Sequence, residues 1–369
     1  MANNKHRKYD NPVTATLTGI ADLFRKQTPA GTLKLSDRFD GKTVLVDGAS
    51  SGLGFAVATD LARRGARVIM ACRSGIPGQG EKVKKISGNQ DIHMLHVDFS
   101  DTVSIRNLVT EIKAKYSPID VLVCNAGIVP KKSRKTRQGL EEMFMVNYFS
   151  KFIFVNLLLE NECFGISAGR PVPDNSGNQS NPQTTIQTTN PKTENRNKAD
   201  RGGANRKSKI PRIIFVASES HRNPEIFQWN DFGIYKDYSI GKSIELYGYY
   251  KLLLTTFSYE LSRRMNPDGI TTCSVFSMCP GPVNSNIARE APKIFIPLLK
   301  LVFGIFFKSP AKAAVPVVYL AASNDFEGKS FDYIFLMSRK EIDEQASNPE
   351  NGKKLWKLSE ELLKSLQTV

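Results

Sequence analysis

Seven short runs of β-branched and apolar residues, at 43–46, 67–71, 92–97, 119–123, 212–216, 271–277 and 331–336, read as buried strands. Helical stretches follow at 55–64, 101–116, 140–162, 244–265 and 311–322, and an amphipathic pattern over 353–366 predicts a terminal helix. Short strands alternating with helices predict an α/β fold, a Rossmann-type doubly wound parallel sheet of about seven strands with helices on both faces. The pattern lapses over 165–209. No aromatic residue lies between Phe164 and Phe215, and Asn, Gln, Thr, Pro, Gly and Lys crowd the segment. Such a composition cannot bury enough apolar surface to offset its ordering entropy, so a disordered insertion in a surface connection is expected. The organisation is then a basic, flexible leader over 1–38, a single domain over 39–340 interrupted at about 165–209, and a C-terminal amphipathic helix over 341–369.

The first strand runs directly into Gly48-x3-Gly52-x-Gly54 and then into a helix. Glycines there let backbone approach a bound group, and the helix start offers N–H donors to a phosphate, so a dinucleotide is the expected guest. Gly48, Ser50, Ser51, Gly52, Leu53 and Gly54 form the expected cradle. Ligands in doubly wound sheets sit at the carboxyl ends of strands, and Arg73, Asp98 and Asn125-Ala126-Gly127 occupy three more such ends. The second strand closes on Cys72 and Arg73 with no acidic residue, which suits a 2′-phosphate: NADP(H) is expected over NAD.

Tyr247 and Lys251 stand four apart at a helix start and share one face. A lysine cation favours the phenolate and brings a tyrosine towards a useful acid/base range. Tyr238 and Lys242 repeat the spacing with Gly241 inside a polar Gly/Ser loop, where no stable helix is expected; that pair is read as a decoy. Asn147, inside the apolar stretch 140–162, needs partners. Two uses stay open for it, a bridge to neighbouring backbone or a hold on water or a side chain in an active site.

This order of motifs resembles the short-chain dehydrogenase/reductase family from about Phe39 to Leu336. The resemblance implies that Asn147, Ser218, Tyr247 and Lys251 form its catalytic tetrad. Serine would polarise a carbonyl, tyrosine would carry the proton, lysine would bind the nicotinamide ribose and tune the tyrosine, and asparagine would position a relay water. It also implies an adenine contact from Asp98, an Asn-Ala-Gly motif in Asn125, Ala126 and Gly127, and a nicotinamide-side segment in Pro280, Gly281, Val283 and Ser285. Ala71-Cys72-Arg73, Ser218-x-x-His221, the long 218–247 connection and Leu355-Trp356-x-x-Ser359 are similar to the retinol dehydrogenase-like branch, which implies a small lipophilic alcohol or carbonyl substrate of retinoid, steroid or aliphatic-aldehyde type. His221 is expected to be a loop residue and not a base. Two positions depart from the family pattern: Asp47 stands where threonine is usual, setting a carboxylate near the cradle, and the insertion is unusually long. Asp47 is the one feature favouring a different class, a non-catalytic NADP-sensing or scaffold protein on the same fold.

Composition adds limits. The chain has 369 residues, 40% hydrophobic, enough for a substantial core. A net charge of +15 raises polyanionic partners, but the basic residues scatter over the leader, 131–137 and 194–209 without an aromatic platform, so no specific nucleic acid is expected. Cys72, Cys124, Cys163, Cys273 and Cys279 contain no C-x-x-C pair, which suits a reducing compartment. His93 and His96 would point to opposite faces of a strand, so no metal is expected there. The apolar stretch 294–307, with Lys300 at its centre, is too short to span a bilayer; a cover over a lipophilic pocket, peripheral membrane contact and homodimer packing are its three open uses. Residues 1–40 hold no apolar run suited to a signal or spanning helix, so an intracellular protein is expected, cytoplasmic or peripherally membrane-associated.

Overall fold

A computed structural model describes residues 28–166, 210–281, 283 and 309–366. Residues 167–209, the stretch 294–307 and most of the leader lie outside the described residues, as does Ser285. The elements in order are β1 (Thr43–Asp47), α1 (Gly52–Arg63), β2 (Arg67–Cys72), α2 (Gly78–Ser87), β3 (Ile92–His96), α3 (Thr102–Lys115), β4 (Val121–Cys124), α4 (Glu142–Glu160), β5 (Arg212–Val216), α5 (Ile240–Met265), β6 (Ser274–Cys279), α6 (Pro310–Ala322), β7 (Phe331–Phe335), β8 (Ser338–Arg339), α7 (Glu344–Ser347) and α8 (Pro349–Ser365).

The sheet order is β3-β2-β1-β4-β5-β6-β7-β8, with every neighbouring pair parallel except β7 and β8. Strand order reverses between β1 and β4, and at that switch point the carboxyl ends open a crevice for a ligand. Strands β1, β4, β5 and β6 are buried at every position, as a sheet covered on both faces requires. On one face Val44, Val46 and Val68 pack against Val57 and Leu61 of α1 and Val317 and Leu320 of α6. On the other, Leu45, Leu122 and Ile213 pack against Ile105 and Ile112 of α3, Phe149 and Ile153 of α4, and Leu253 and Phe257 of α5. The last helix joins this second layer. Trp356 sits 5.2 Å from the Phe152 ring and 5.7 Å from that of Phe257, and Ser359 hydrogen-bonds the Tyr148 hydroxyl at 2.6 Å.

Several element boundaries differ from expectation for local reasons. α2 has no counterpart in the expected pattern; only Gly80 and Val83 are buried along it, so it carries almost no apolar stripe. β6 begins at Ser274, not 271, because Asn266 ties up the start of that run, accepting from the N–H groups of Thr272 and Cys273. α5 begins at Ile240, so Gly241 and Lys242 are helical and not loop. The helix is started by tertiary anchors: Ser243 donates to the Pro130 carbonyl at 2.5 Å. α4 is long and apolar enough to cross a membrane by composition, but 78% of that window is buried in the protein, which makes it a core helix. Its residues Met145–Phe149 form a π-helical turn, a feature frequent at functional sites.

Candidate active site

The glycine turn is shaped by contact. Gly48 takes φ of +63°, and a methyl group on Gly54 would lie 2.5 Å from the Gly48 carbonyl oxygen. Neither position admits a side chain, so β1, the turn and α1 press together. Ser51 precedes α1 in extended backbone and places no side chain on the helix's first N–H groups; Ser50 and Gly52 are half-buried and Ser51 is exposed. Free helix N–H donors flanked by two hydroxyls fit a phosphate. The loop after β2 folds over this turn, with the position of a methyl on Gly75 3.5 Å from Ser50 Cβ. Arg73 in that loop is 52% exposed at its side chain and 4.0 Å from Glu142. Asp98 accepts from the N–H and the hydroxyl of Ser100 at 2.9 and 2.7 Å. A dinucleotide therefore fits these residues.

Four predicted groups converge beside the cradle. Asn147, 1% exposed in the π turn, donates from Nδ2 to the Ile128 carbonyl at 2.9 Å and accepts the Ile128 N–H at 2.8 Å. It bridges backbone, and the backbone it bridges is the loop that follows β4. Next to it, a methyl on Gly127 would stand 3.3 Å from Asn147 Oδ1 and 3.9 Å from Lys251 Nζ. Lys251 donates to the Val216 carbonyl at 2.7 Å, and its Nζ lies 5.6 Å from the centroid of the Tyr247 ring. Burial, reinforced by the cation of Lys151, lowers the Lys251 pKa to about 8. Tyr247 is half-buried, and burial raises its pKa above the ordinary value, against the lowering expected from Lys251, while the Ser218 hydroxyl, its hydrogen-bond partner, works in the opposite sense. A neutral phenol, a hydroxyl beside it and a lysine below it can pass a proton to and from a ligand oxygen.

Ser218 is itself held. It caps a short 3-10 turn, Glu219–Arg222, and its oxygen accepts from the N–H and hydroxyl of Ser220 at 3.2 and 2.9 Å. His221 is fully buried; its Nε2 accepts from the Asp343 N–H at 3.2 Å, so Nδ1 carries the hydrogen donated to the Ser218 carbonyl at 2.7 Å. Burial drops the His221 pKa to about 4, which keeps it neutral and structural. Glu219 receives the Tyr333 hydroxyl at 2.7 Å and pairs with Arg222 and Lys340, fastening the same turn to β7 and to the residue after β8.

The Tyr238 pair does not form a second site. The Tyr238 hydroxyl donates to buried Glu141 at 2.7 Å, while Lys242 turns outward to Glu245. Pro280, Gly281 and Val283 follow β6, and Gly281 takes φ of +74°.

Asp47 is not in the cradle. Its carboxylate is fully buried beneath it, 2.8 Å from Lys151 Nζ, and also accepts the backbone N–H groups of Asn125 and Ala126. Lys151, like Glu219 and Glu141, belongs to no motif in the sequence. A lysine in the middle of the apolar run Phe149–Phe154 is nevertheless a signal, since a charge on a buried face must be paired.

Fold and cradle together define a dinucleotide-binding α/β protein. A family model for short chain dehydrogenase matches residues 42–171. Retinol dehydrogenase 14 of Homo sapiens is 30% identical over 337 residues, covering 87% of this chain and 85% of that protein. Retinol dehydrogenase 12 of Mus musculus is 28% identical over 345 residues, covering 93% of each. Among solved structures, an uncharacterized Mycobacterium paratuberculosis protein superposes with a TM-score of 0.60 at 23% identity, over 92% of this chain and 98% of that one. The Pseudomonas aeruginosa RhlG/NADP active-site complex gives 0.56 at 17% identity, over 82% and 98%. The chain belongs to the short-chain dehydrogenase/reductase family of NAD(P)-using oxidoreductases, in its retinol dehydrogenase-like branch.

Proposed function

We propose that the protein is an NADP(H)-dependent oxidoreductase that interconverts a lipophilic alcohol and its carbonyl compound, with Tyr247 as the acid/base. The observation that carries this reading is the convergence of Ser218, Tyr247 and Lys251 with Asn147 beside the nucleotide cradle. When bound, the nicotinamide nucleotide supplies or accepts the hydride. Ser218 would orient the substrate oxygen by hydrogen bonding, and Tyr247 would give it a proton in reduction or take one in oxidation. The raised pKa of Tyr247 leaves its phenol neutral at rest, the protonation state that reduction needs. Lys251, anchored on Val216, holds positive charge beside the phenol and favours the phenolate once the proton has left.

Arg73, exposed just after the end of β2, supports the choice of NADP. The names of the relatives support an apolar substrate. Substrates of that kind partition into membranes, so peripheral membrane contact through 294–307 is part of the same reading, tested by co-sedimentation with lipid vesicles with and without that stretch. The sensor alternative rested on Asp47, which Lys151 accounts for. A panel of retinoid, steroid and aliphatic aldehydes with NADPH and NADH tests the proposal. Turnover with NADPH is expected; absence of turnover together with absence of cofactor binding would overturn it.

A further inference from the structure

The loop 125–128 is held at both ends by one helix. At its far end, Asn147 of α4 takes both backbone groups of Ile128. At its near end, the N–H groups of Asn125 and Ala126 both go to Asp47 Oδ1, and the other oxygen of that carboxylate goes to Lys151, one turn along α4 from Asn147. Lys151 is 1% and Asp47 0% exposed, and the ammonium also lies 3.9 Å from the centroid of the Phe99 ring. Between the two anchors stands Gly127, against which Asn147 and Lys251 are gauged. A hydroxyl at position 47 has two acceptor lone pairs but no charge to hold a buried ammonium, and a buried ammonium without a partner is strongly disfavoured. The two residues therefore make sense only together.

We propose that Lys151 is a positioning residue for the active site: through Asp47 it locks Asn125 and Ala126 to α4 and so fixes where Gly127 stands between Asn147 and Lys251. The kinetic consequence rests on the oxidoreductase reading; the clamp does not.

Four proteins test it: wild type, Lys151→Met, Asp47→Thr and the double variant, each followed by steady-state kinetics and by amide hydrogen exchange at Asn125 and Ala126. Each single variant should lose roughly tenfold or more in kcat with the KM for the carbonyl substrate nearly unchanged, because the groups displaced act on the reacting atoms and not on the substrate's apolar body. Exchange at the two amides should quicken by at least about tenfold while amides in the middle of α5 keep their protection. The double variant, free of that buried ion pair, should recover kcat to within about threefold of wild type. Single variants with wild-type kcat and slow exchange would overturn the proposal. So would a double variant whose loss equals the product of the two single losses. If Asp47→Thr does not fold, the other two variants decide: a double variant no faster than Lys151→Met alone refutes the coupling. Exchange needs no turnover, so an inactive wild type would sink the oxidoreductase reading while leaving the clamp to be judged by its amides.

Discussion

The Glu219 tether gives the sharpest test of how Ser218 is supported. Its carboxylate is 15% exposed and takes three partners: the Tyr333 hydroxyl at 2.7 Å, Arg222 Nε at 3.2 Å, and the Lys340 ammonium. In Glu219→Ala the Tyr333 phenol, 2% exposed, loses its acceptor, and a buried donor left without one costs about 1–3 kcal/mol. Lys340 is a third exposed, and Arg222 keeps a second acceptor in the Glu341 carbonyl, so the ion pairs add only about 0–1 kcal/mol. Together the loss is about 1–4 kcal/mol, roughly fivefold to nearly a thousandfold in the folding equilibrium. Urea unfolding of wild type, Glu219→Ala and Glu219→Gln measures it, the amide retaining an acceptor for Tyr333 and costing about 1 kcal/mol. The acid dependence has a definite sign. Burial works to raise the Glu219 carboxyl, but Arg222, Lys340 and the Tyr333 hydroxyl outweigh it and leave it below its ordinary value of 4.5. A depressed carboxyl contributes stability above its unfolded pKa and loses that contribution as pH falls through the folded one, so the gap between wild type and Glu219→Gln should narrow below about pH 4. A Glu219→Ala variant within about 0.5 kcal/mol of wild type, or a gap that widens on acidification, would refute the tether.

Tyr247→Phe should lower hydride transfer by about 10²–10⁴-fold while NADPH still binds, whereas Tyr238→Phe should keep turnover and lose about 1–2 kcal/mol of stability through its missing bond to Glu141; pre-steady-state kinetics and urea unfolding separate the two. Arg73→Ala should reduce the preference for NADPH over NADH by roughly tenfold, read from the ratio of kcat/KM values, and an unchanged ratio would remove Arg73 from phosphate recognition. His221 titrates near 4 in the fold against 6.5 ordinarily, so the unfolded chain takes up the proton first and stability should fall as pH drops from 6.5 towards 4. That slope should flatten in His221→Gln, and a slope equal to wild type would show that other groups set it.

Much of the site was legible because its parts are local. A strand, a glycine turn and a helix follow one another without interruption from Thr43 to Arg63, and Tyr247 and Lys251 are one helical turn apart, so spacing alone placed them on one face. Arg73, Asp98 and Asn125 were placed by a rule about strand ends that needs only the order of the elements. What spacing could not decide was which tyrosine–lysine pair faced the cradle. Lys242 proved helical while Tyr238 precedes the helix, and its hydroxyl is taken by Glu141, which is distant in sequence.

The same holds for Asp47. From sequence it is a carboxylate beside a phosphate site, an apparent electrostatic conflict, because its neighbours in the chain are the only neighbours visible. Lys151 lies 104 residues away, and only the packing of α4 across the ends of β1 and β4 brings its ammonium to 2.8 Å from the carboxylate, sealed from water. Apolar periodicity dictates strands and helices because burial depends on which face a residue occupies; the pairing of buried charges depends on which faces meet, and that is fixed only when the sheet closes.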